Sequence, residues 1–211
     1  VMDVEQAREA VRRGVDVIVA QGGEAGGHSG FVGAMALVPQ VVDVAGAIPV
    51  VAAGGIADGR GLAAALALGA TGVAMGTRFL ASDEMSVDPE WKRMIVHAAS
   101  TDAVRADVID LLLPPYNRSH YPAGVRVLRT PFLAEWAGRP DELARHAPEL
   151  GARIVEEVRQ GGGQRYVPFA GQSAGLVTEV LPAERIVERT VRDAEHILAS
   201  LAQDQPVSWA T

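Results

Sequence analysis

The sequence predicts an α/β fold in which helices alternate with short buried strands. Three apolar runs, at residues 15–20, 48–53 and 72–75, show no alternation of apolar and polar residues, as expected for strands covered on both faces. A helical pattern precedes each run. This order, repeated within residues 1–84, predicts successive βα units and therefore a parallel sheet.

The helices of this first part have recognisable ends. Asp3 and Gln6 form a variant of the capping box, and Gly14 predicts the end of the same helix. Residues 36–45 predict a second helix, and Asp58 is typical of the N-cap of a third.

The pattern changes beyond Glu84. Residues 90–112, 141–159 and 182–202 have the apolar spacing of helices. Residues 114–131 are rich in proline and in cations, which predicts a loop. The second part of the chain is therefore expected to be mainly helical.

Two architectures contain parallel βα units, an open doubly wound sheet and a (β/α)8 barrel. The absence of a GxGxxG motif weakens the first. Two successive strands that end in Gly54-Gly55 and Gly76-Thr77 favour the barrel, because barrels often bind phosphate in the loops after their last two strands. Three strands do not close a barrel, so we expect the chain to hold only its last βα units.

Composition excludes several classes of function. The 211 residues include 48% hydrophobic and 21% charged residues, as in ordinary soluble proteins, and carry a formal net charge of −7. An acidic chain is a poor partner for nucleic acid or an anionic membrane. Cysteine is absent and the histidines are scattered, so no metal site is expected. A cytoplasmic protein is the default interpretation.

The glycine-rich loop from Gln21 to Gly30 is the strongest candidate site. It follows the first predicted strand directly, and its glycines allow a ligand to approach the backbone closely. His28 carries the side chain best suited to proton transfer near neutral pH. Glu24 is more easily explained as a cap of the following helix than as a catalytic group.

Four segments together resemble the FMN-dependent nitronate monooxygenases, formerly called 2-nitropropane dioxygenases. They are Gln21-Gly22-Gly23-Glu24-Ala25-Gly26-Gly27-His28, Ala52-Ala53-Gly54-Gly55-Ile56-Ala57-Asp58-Gly59-Arg60, Met75-Gly76-Thr77-Arg78-Phe79 and Ala170-Gly171-Gln172-Ser173-Ala174-Gly175. Each motif is weak alone, but four in the family's order are specific. The resemblance implies a TIM barrel with an added lobe on the substrate side.

The resemblance divides the chain into three parts. Residues 1–84 would be the C-terminal part of the FMN-binding barrel, 85–167 a lobe of helices and loops, and 168–211 a segment and helix that pack back on the barrel. It implies an FMN phosphate site at Gly54, Gly55, Gly76 and Thr77. Further flavin contacts are implied at the following residues: Gln21, Gly22, Gly26, Ala74 and Met75.

His28 matches the family's catalytic histidine. The resemblance implies that it takes the α proton of a neutral nitroalkane, or binds and orients an anionic nitronate when protonated. The overall reaction would use O2 and FMN to convert a nitronate to a carbonyl compound and nitrite. The implied partners are these small molecules; a homo-oligomer is compatible with the sequence, which does not fix the oligomeric state.

Three alternatives stay open. A flavin-dependent enoyl-acyl-carrier-protein reductase shares the barrel and a similar glycine–histidine loop, but would take hydride from NAD(P)H. A truncated barrel without catalysis is the second, and a flavin-free enzyme acting on phosphorylated metabolites is the third. The third does not explain the loop from Gln21 to His28.

Other charged and aromatic residues have simpler interpretations. Arg60 and Arg78 are expected to form structural ion pairs rather than to contact a ligand. The segment Tyr116–Tyr121 is the best candidate for a lid over the flavin.

Overall fold

The computed structural model of the protein describes residues 1–106, 108–112 and 124–203. Numbered along the chain, its helices and strands are α1 (Val4–Arg12), β1 (Ile18–Gln21), β2 (Gly27–His28), α2 (Ala34–Ala45), β3 (Val50–Ala53), α3 (Gly59–Ala67), β4 (Gly72–Ala74), α4 (Gly76–Leu80), α5 (Pro89–His97), β5 (Ala103–Ala106), α6 (Val108–Leu112), β6 (Val125–Leu128), α7 (Pro131–Trp136), α8 (Pro140–Arg159) and α9 (Ala183–Ala202). No described helix is both long and apolar enough to cross a membrane.

The first sheet is parallel, as the sequence predicts. Its strand order is β1-β3-β4, and Val19 pairs with Val51, which in turn pairs with Gly72. The predicted start and end of α1, the helix that precedes this sheet, are also confirmed. Asp3 accepts the N–H of Gln6 at 2.8 Å, Gln6 accepts the N–H of Met2 at 2.9 Å, and Gly14 has a φ of 68°.

The first sheet is covered on one face only by the described residues. Ile18 and Ala20 point into a core formed with Leu37 and Val41 of α2. On the other face, Val19 of β1 is 43% exposed. The prediction that this strand is covered on both faces is therefore wrong for the described part of the chain. The apolar side chains on the second face of β1 stay exposed, because no described element packs against them.

The second part of the chain is mainly helical, as predicted, but two strands correct the predicted helix at residues 90–112 and the predicted loop at residues 114–131. Within residues 90–112, α5 ends at His97, and β5 follows after a short 3-10 turn. Within the predicted loop 114–131, residues 125–128 form β6, which pairs antiparallel with β5. Both strands have four residues, too few for a clear period, and their pairing depends on residues distant in sequence. The predicted lid segment, Tyr116–Tyr121, lies outside the described residues.

The glycine-rich loop joins the two sheets. β2, which contains Gly27 and His28, pairs antiparallel with β6, so that the second sheet has the order β2-β6-β5. Gly22, at the start of the same loop, donates its N–H to Ala53 of the first sheet at 2.8 Å. The loop is thus fixed to one sheet at each end.

The last helices match the sequence closely. α8 and α9 begin within a residue of the predicted starts and end at the predicted residues. α9 packs on α3 so tightly that a Cβ added to Gly59 would lie 2.6 Å from the backbone N of Ala194. The C-terminal helix therefore covers a helix of the first sheet.

Candidate active site

A cavity of about 440 Å³ lies at the carboxyl ends of the three parallel strands. Gln21 stands at the end of β1, Ala53 at the end of β3 and Ala74 at the end of β4, and all three line it. This end of a parallel sheet is where α/β proteins bind their ligands. Further walls come from the glycine loop, from the segments that follow β3 and β4, and from the C-terminal segment around Gly171.

Seven of the nine residues expected to contact a cofactor line this cavity: Gln21, Gly26, Gly54, Gly55, Ala74, Gly76 and Thr77. The structure puts Gly22 and Met75 elsewhere. Gly22 lies against the start of α2, where an added Cβ would be 2.7 Å from the backbone N of Ala34. Met75 precedes α4 and packs against the core of the first sheet.

Gly54 and Gly55 form a left-handed turn after β3. Their φ angles are 96° and 74°, values that residues with a Cβ rarely adopt. Their backbone N–H groups have no acceptor among the described residues. Successive backbone N–H groups in such a turn form a concave site that suits an anion.

The next strand contributes Gly76 and Thr77. A Cβ added to Gly76 would meet no atom within 4 Å, so this side of the residue faces open space. The Thr77 hydroxyl is buried and accepts the N–H of Gly171 at 2.8 Å. Its own hydrogen remains able to donate to a ligand oxygen.

His28 forms a partly buried pair with Asp110. The two side chains are 17% and 5% exposed, and Nε2 of the imidazole lies 2.8 Å from Oδ1 of the carboxylate. Because an ionised carboxylate only accepts, Nε2 is the donor of this hydrogen bond. His28 is not among the cavity's lining residues, but the adjacent Gly27 is.

Sequence reasoning missed Asp110. This residue lies 82 positions from His28 and belongs to α6, which follows β5 in the second sheet. No local motif marks it, since a carboxylate in a helical pattern is usually solvent-exposed. Its pairing with His28 depends on β5 and β6, two strands that lie in segments where the sequence predicts a helix and a loop.

Glu24 caps a helix, as the sequence suggests. Both carboxylate oxygens lie 3.0 Å from the backbone N–H of Ala34, the first residue of α2. A carboxylate at this position also complements the helix dipole. The structure thus gives Glu24 a structural role at the base of the loop.

The C-terminal segment packs directly on the glycine loop. A Cβ added to Gly26 would lie 2.7 Å from the backbone N of Gly171, and one added to Gly171 would lie 2.9 Å from the N of Gly26. Gln172 donates its N–H to the carbonyl of Glu24 at 2.9 Å. Only glycine permits this backbone contact, which completes one wall of the cavity.

Of the two arginines expected to form ion pairs, Arg60 does so and Arg78 does not. Arg60 pairs with Asp58 at 2.6 Å, as expected. Arg78, 6% exposed, donates instead to the backbone carbonyls of Ala81 and Glu179, at 3.2 and 2.9 Å. These carbonyls accept from one terminal nitrogen of the guanidinium, while its buried Nε has no partner among the described residues and the Glu179 side chain pairs with Arg189.

The described residues include no cluster of three or more His, Cys, Asp or Glu side chains that could hold a metal ion.

Two solved structures have a fold similar to that of this chain. FabK from Thermotoga maritima superposes with a TM-score of 0.79 at 37% identity, covering 96% of this chain and 61% of that one. The nitroalkane oxidase from Streptomyces ansochromogenes gives a TM-score of 0.74 at 30% identity, with coverages of 95% and 58%.

Comparison of sequences gives the family. Nitronate monooxygenase npaC of Metarhizium robertsii is 37% identical over 193 residues, which are 88% of this chain and 54% of that protein. The chain spans about half the length of the curated relatives it matches. The family model for nitronate monooxygenase matches residues 1–193, and the chain therefore belongs to the nitronate monooxygenase family.

Proposed function

We propose that this chain supplies the cofactor site and the proton-transfer residue of an FMN-dependent nitronate monooxygenase. The reaction would oxidise alkyl nitronates, and nitroalkanes after deprotonation, with O2 to a carbonyl compound and nitrite. The observation that carries the proposal is the glycine-walled cavity at the carboxyl ends of three parallel strands. We further propose that these strands are the last of a (β/α)8 barrel.

The residues around the cavity fit FMN. A volume of about 440 Å³ is within the usual range of roughly 300–1,000 Å³ for a ligand site. The N–H groups of Gly54 and Gly55 and the Thr77 hydroxyl form a donor set suited to a phosphate. The open space beside Gly76 leaves room for that group.

The other lining residues would accept the flavin ring. Gln21, Gly26 and Ala74 would contact it, and Gly22 and Met75 would support these walls from behind. When bound, FMN supplies the redox chemistry of the reaction.

His28 would move the proton. With a neutral nitroalkane, the imidazole would accept the α proton while Asp110 holds the ring through Nε2 and its charge stabilises the imidazolium that forms. With a nitronate, which is already an anion, the imidazolium would bind and orient the substrate. Asp110 is therefore a positioning residue in this scheme.

The decisive experiment follows flavin colour and nitrite together. The purified chain is mixed with FMN, freed of excess cofactor and treated with a primary alkyl nitronate, first without and then with O2. Anaerobic bleaching by the nitronate, followed by nitrite on aeration, would support the proposal. A colourless protein would contradict it and favour the truncated barrel without catalysis.

A reductase is the second candidate, and the similarity to FabK is the observation that favours it. Such an enzyme would reduce an enoyl-acyl-carrier protein with NAD(P)H. Rapid bleaching of bound flavin by NADPH, with no response to a nitronate, would establish it in place of the monooxygenase.

A further inference from the structure

Two arginines face each other in the second sheet. Arg105 of β5 and Arg126 of β6 are directly paired in the antiparallel register, an arrangement that is destabilising for like charges. Arg126 is only 8% exposed, so its charge is also costly to bury. A pair that is unfavourable in both respects requires a compensating set of contacts.

Arg126 bridges its own sheet and the glycine loop. One terminal nitrogen donates to the carbonyl of Ala103 at 2.7 Å, and the other donates to the carbonyl of Gly23 at 2.8 Å. Burial and the neighbouring Arg105 both lower the pKa of this guanidinium, and Glu24 partly offsets them. Charge-assisted bonds to carbonyls are among the stronger hydrogen bonds in proteins.

Arg105 contacts the other end of the same loop. It donates to the carbonyl of Ser29 at 3.0 Å, to that of Gly30, and at 3.4 Å to that of Gly23. Its guanidinium also lies 4.7 Å from the centre of the Phe31 ring. All hydrogen bonds from the two guanidinium groups to described residues go to backbone carbonyls.

His28 lies between the carbonyls that the arginines hold. Gly23 is on one side of it in sequence, and Ser29 and Gly30 are on the other. A segment with so many glycines loses much conformational entropy when it is fixed, so it needs strong contacts to hold one shape. Pairing with β6 fixes only Gly27 and His28.

We propose that Arg105 and Arg126 are positioning residues that hold residues 23–30 in the one conformation that orients His28 for proton transfer. The part of this proposal that concerns proton transfer rests on the proposed function. The part that concerns the loop does not, and it can be tested without substrate or cofactor.

Hydrogen exchange of the loop amides tests the loop itself. Gly23 and Ala25 donate to Val32 and Gly22 at 2.7 and 3.0 Å, so both amides report on loop opening. In Arg126→Met we expect exchange at these amides to become roughly ten- to hundredfold faster, with α9 unchanged. Arg126→Lys should resemble Arg126→Met, because an ammonium does not bridge two carbonyls as a planar fork does.

Arg78→Met is the matched control for this measurement. Arg78 is as deeply buried as Arg126 and also donates to backbone carbonyls, but to none in the loop. Its loss should speed exchange near Ala81 and leave Gly23 and Ala25 unchanged. A uniform rise along the whole chain in Arg126→Met, or no rise in the loop, would overturn the proposal; Arg105→Met gives a second variant if Arg126→Met does not fold.

The link to proton transfer is tested with two substrates. A nitroalkane must lose its α proton in the site, whereas a nitronate has already lost it. We expect Arg126→Met to lower nitroalkane turnover at least about tenfold more than nitronate turnover. Equal losses on the two substrates would overturn the link between the arginines and His28. A wild-type chain that is active on neither substrate would overturn the proposed function, and the exchange measurement would then decide the role of the arginines.

Discussion

Replacing Asp110 by Asn tests the His28 pair most directly. The substitution keeps the shape of the side chain but removes the charge that lies 2.8 Å from Nε2. It also allows the amide group to donate to Nε2, so the side chain at position 110 no longer fixes which ring nitrogen carries the proton. We therefore expect a loss of proton transfer without a loss of FMN binding.

The size of the loss follows from the charge separation. Two unit charges about 4 Å apart attract by about 4 kcal/mol at an effective dielectric constant near 20, a value suited to partly buried protein groups. Since about 1.36 kcal/mol corresponds to a factor of ten in rate, the imidazolium loses at most a roughly thousandfold stabilisation. The 5% exposure of Asp110 means that little water can replace the lost charge.

The assay compares initial rates of nitrite formation from a nitroalkane and from its nitronate. Nitroalkane turnover by Asp110→Asn should fall between about 10²- and 10³-fold, and an α-deuterated nitroalkane should show a larger isotope effect than in the wild type. Nitronate turnover should fall much less. Equal loss on both substrates would refute the reasoning.

Asp102→Asn is the matched control. Asp102 lies directly before β5, and its carboxylate accepts the N–H of Ala99 at 2.8 Å rather than contacting His28. Its replacement should cost at most about 1 kcal/mol of stability and leave the ratio of the two rates unchanged.

Three further predictions concern the base, the cofactor site and a helix cap. His28→Asn should keep FMN but lower nitroalkane turnover by about 10²–10⁴-fold, with a smaller effect on nitronate turnover, in the same nitrite assay. Gly76→Val should raise the Kd for FMN about 5- to 150-fold in a fluorescence titration, because its side chain would enter the open space at the cavity; unchanged affinity would contradict the proposed phosphate site. Asp58→Ala should lower the free energy of unfolding by about 1 kcal/mol in urea at pH 7. Burial raises the pKa of Asp58, but the combined effect of Arg60 and the capping N–H groups is larger, so the net shift of the pKa is downward. The stabilisation should therefore vanish as the pH falls below the ordinary value of 3.8. A destabilisation that stays constant down to pH 2 would contradict this assignment.

The parallel sheet could be predicted because its signals are local. Gly14 and Asp58 mark helix ends, and the apolar runs mark strands, within a few residues of each feature. The cavity followed from the same patterns, since parallel strands all end at one edge of the sheet. Glu24 as a cap was predictable for the same reason.

The second sheet could not be predicted, because its pairings join distant residues. β5 lies within a segment with helical spacing, and β6 within one rich in proline and cations. The contacts of Asp110, Arg105 and Arg126 can be recognised only once β5, β6 and β2 are known to form one sheet. Gly22 and Met75 were expected at the cofactor on motif alone, whereas their neighbours in the structure are α2 and the apolar core.

The glycine loop has one end in each sheet, and this division has a consequence for how the family can diversify. The strand ends that line the cavity belong to the parallel sheet, whereas His28 is paired within the antiparallel one. Substitutions in β5, β6 or α6 can therefore shift the histidine relative to these strand ends while the strand ends keep their positions. We expect natural variation in substrate preference to concentrate in residues 99–167. A chimera that exchanges this segment between relatives should transfer substrate preference while retaining the cofactor.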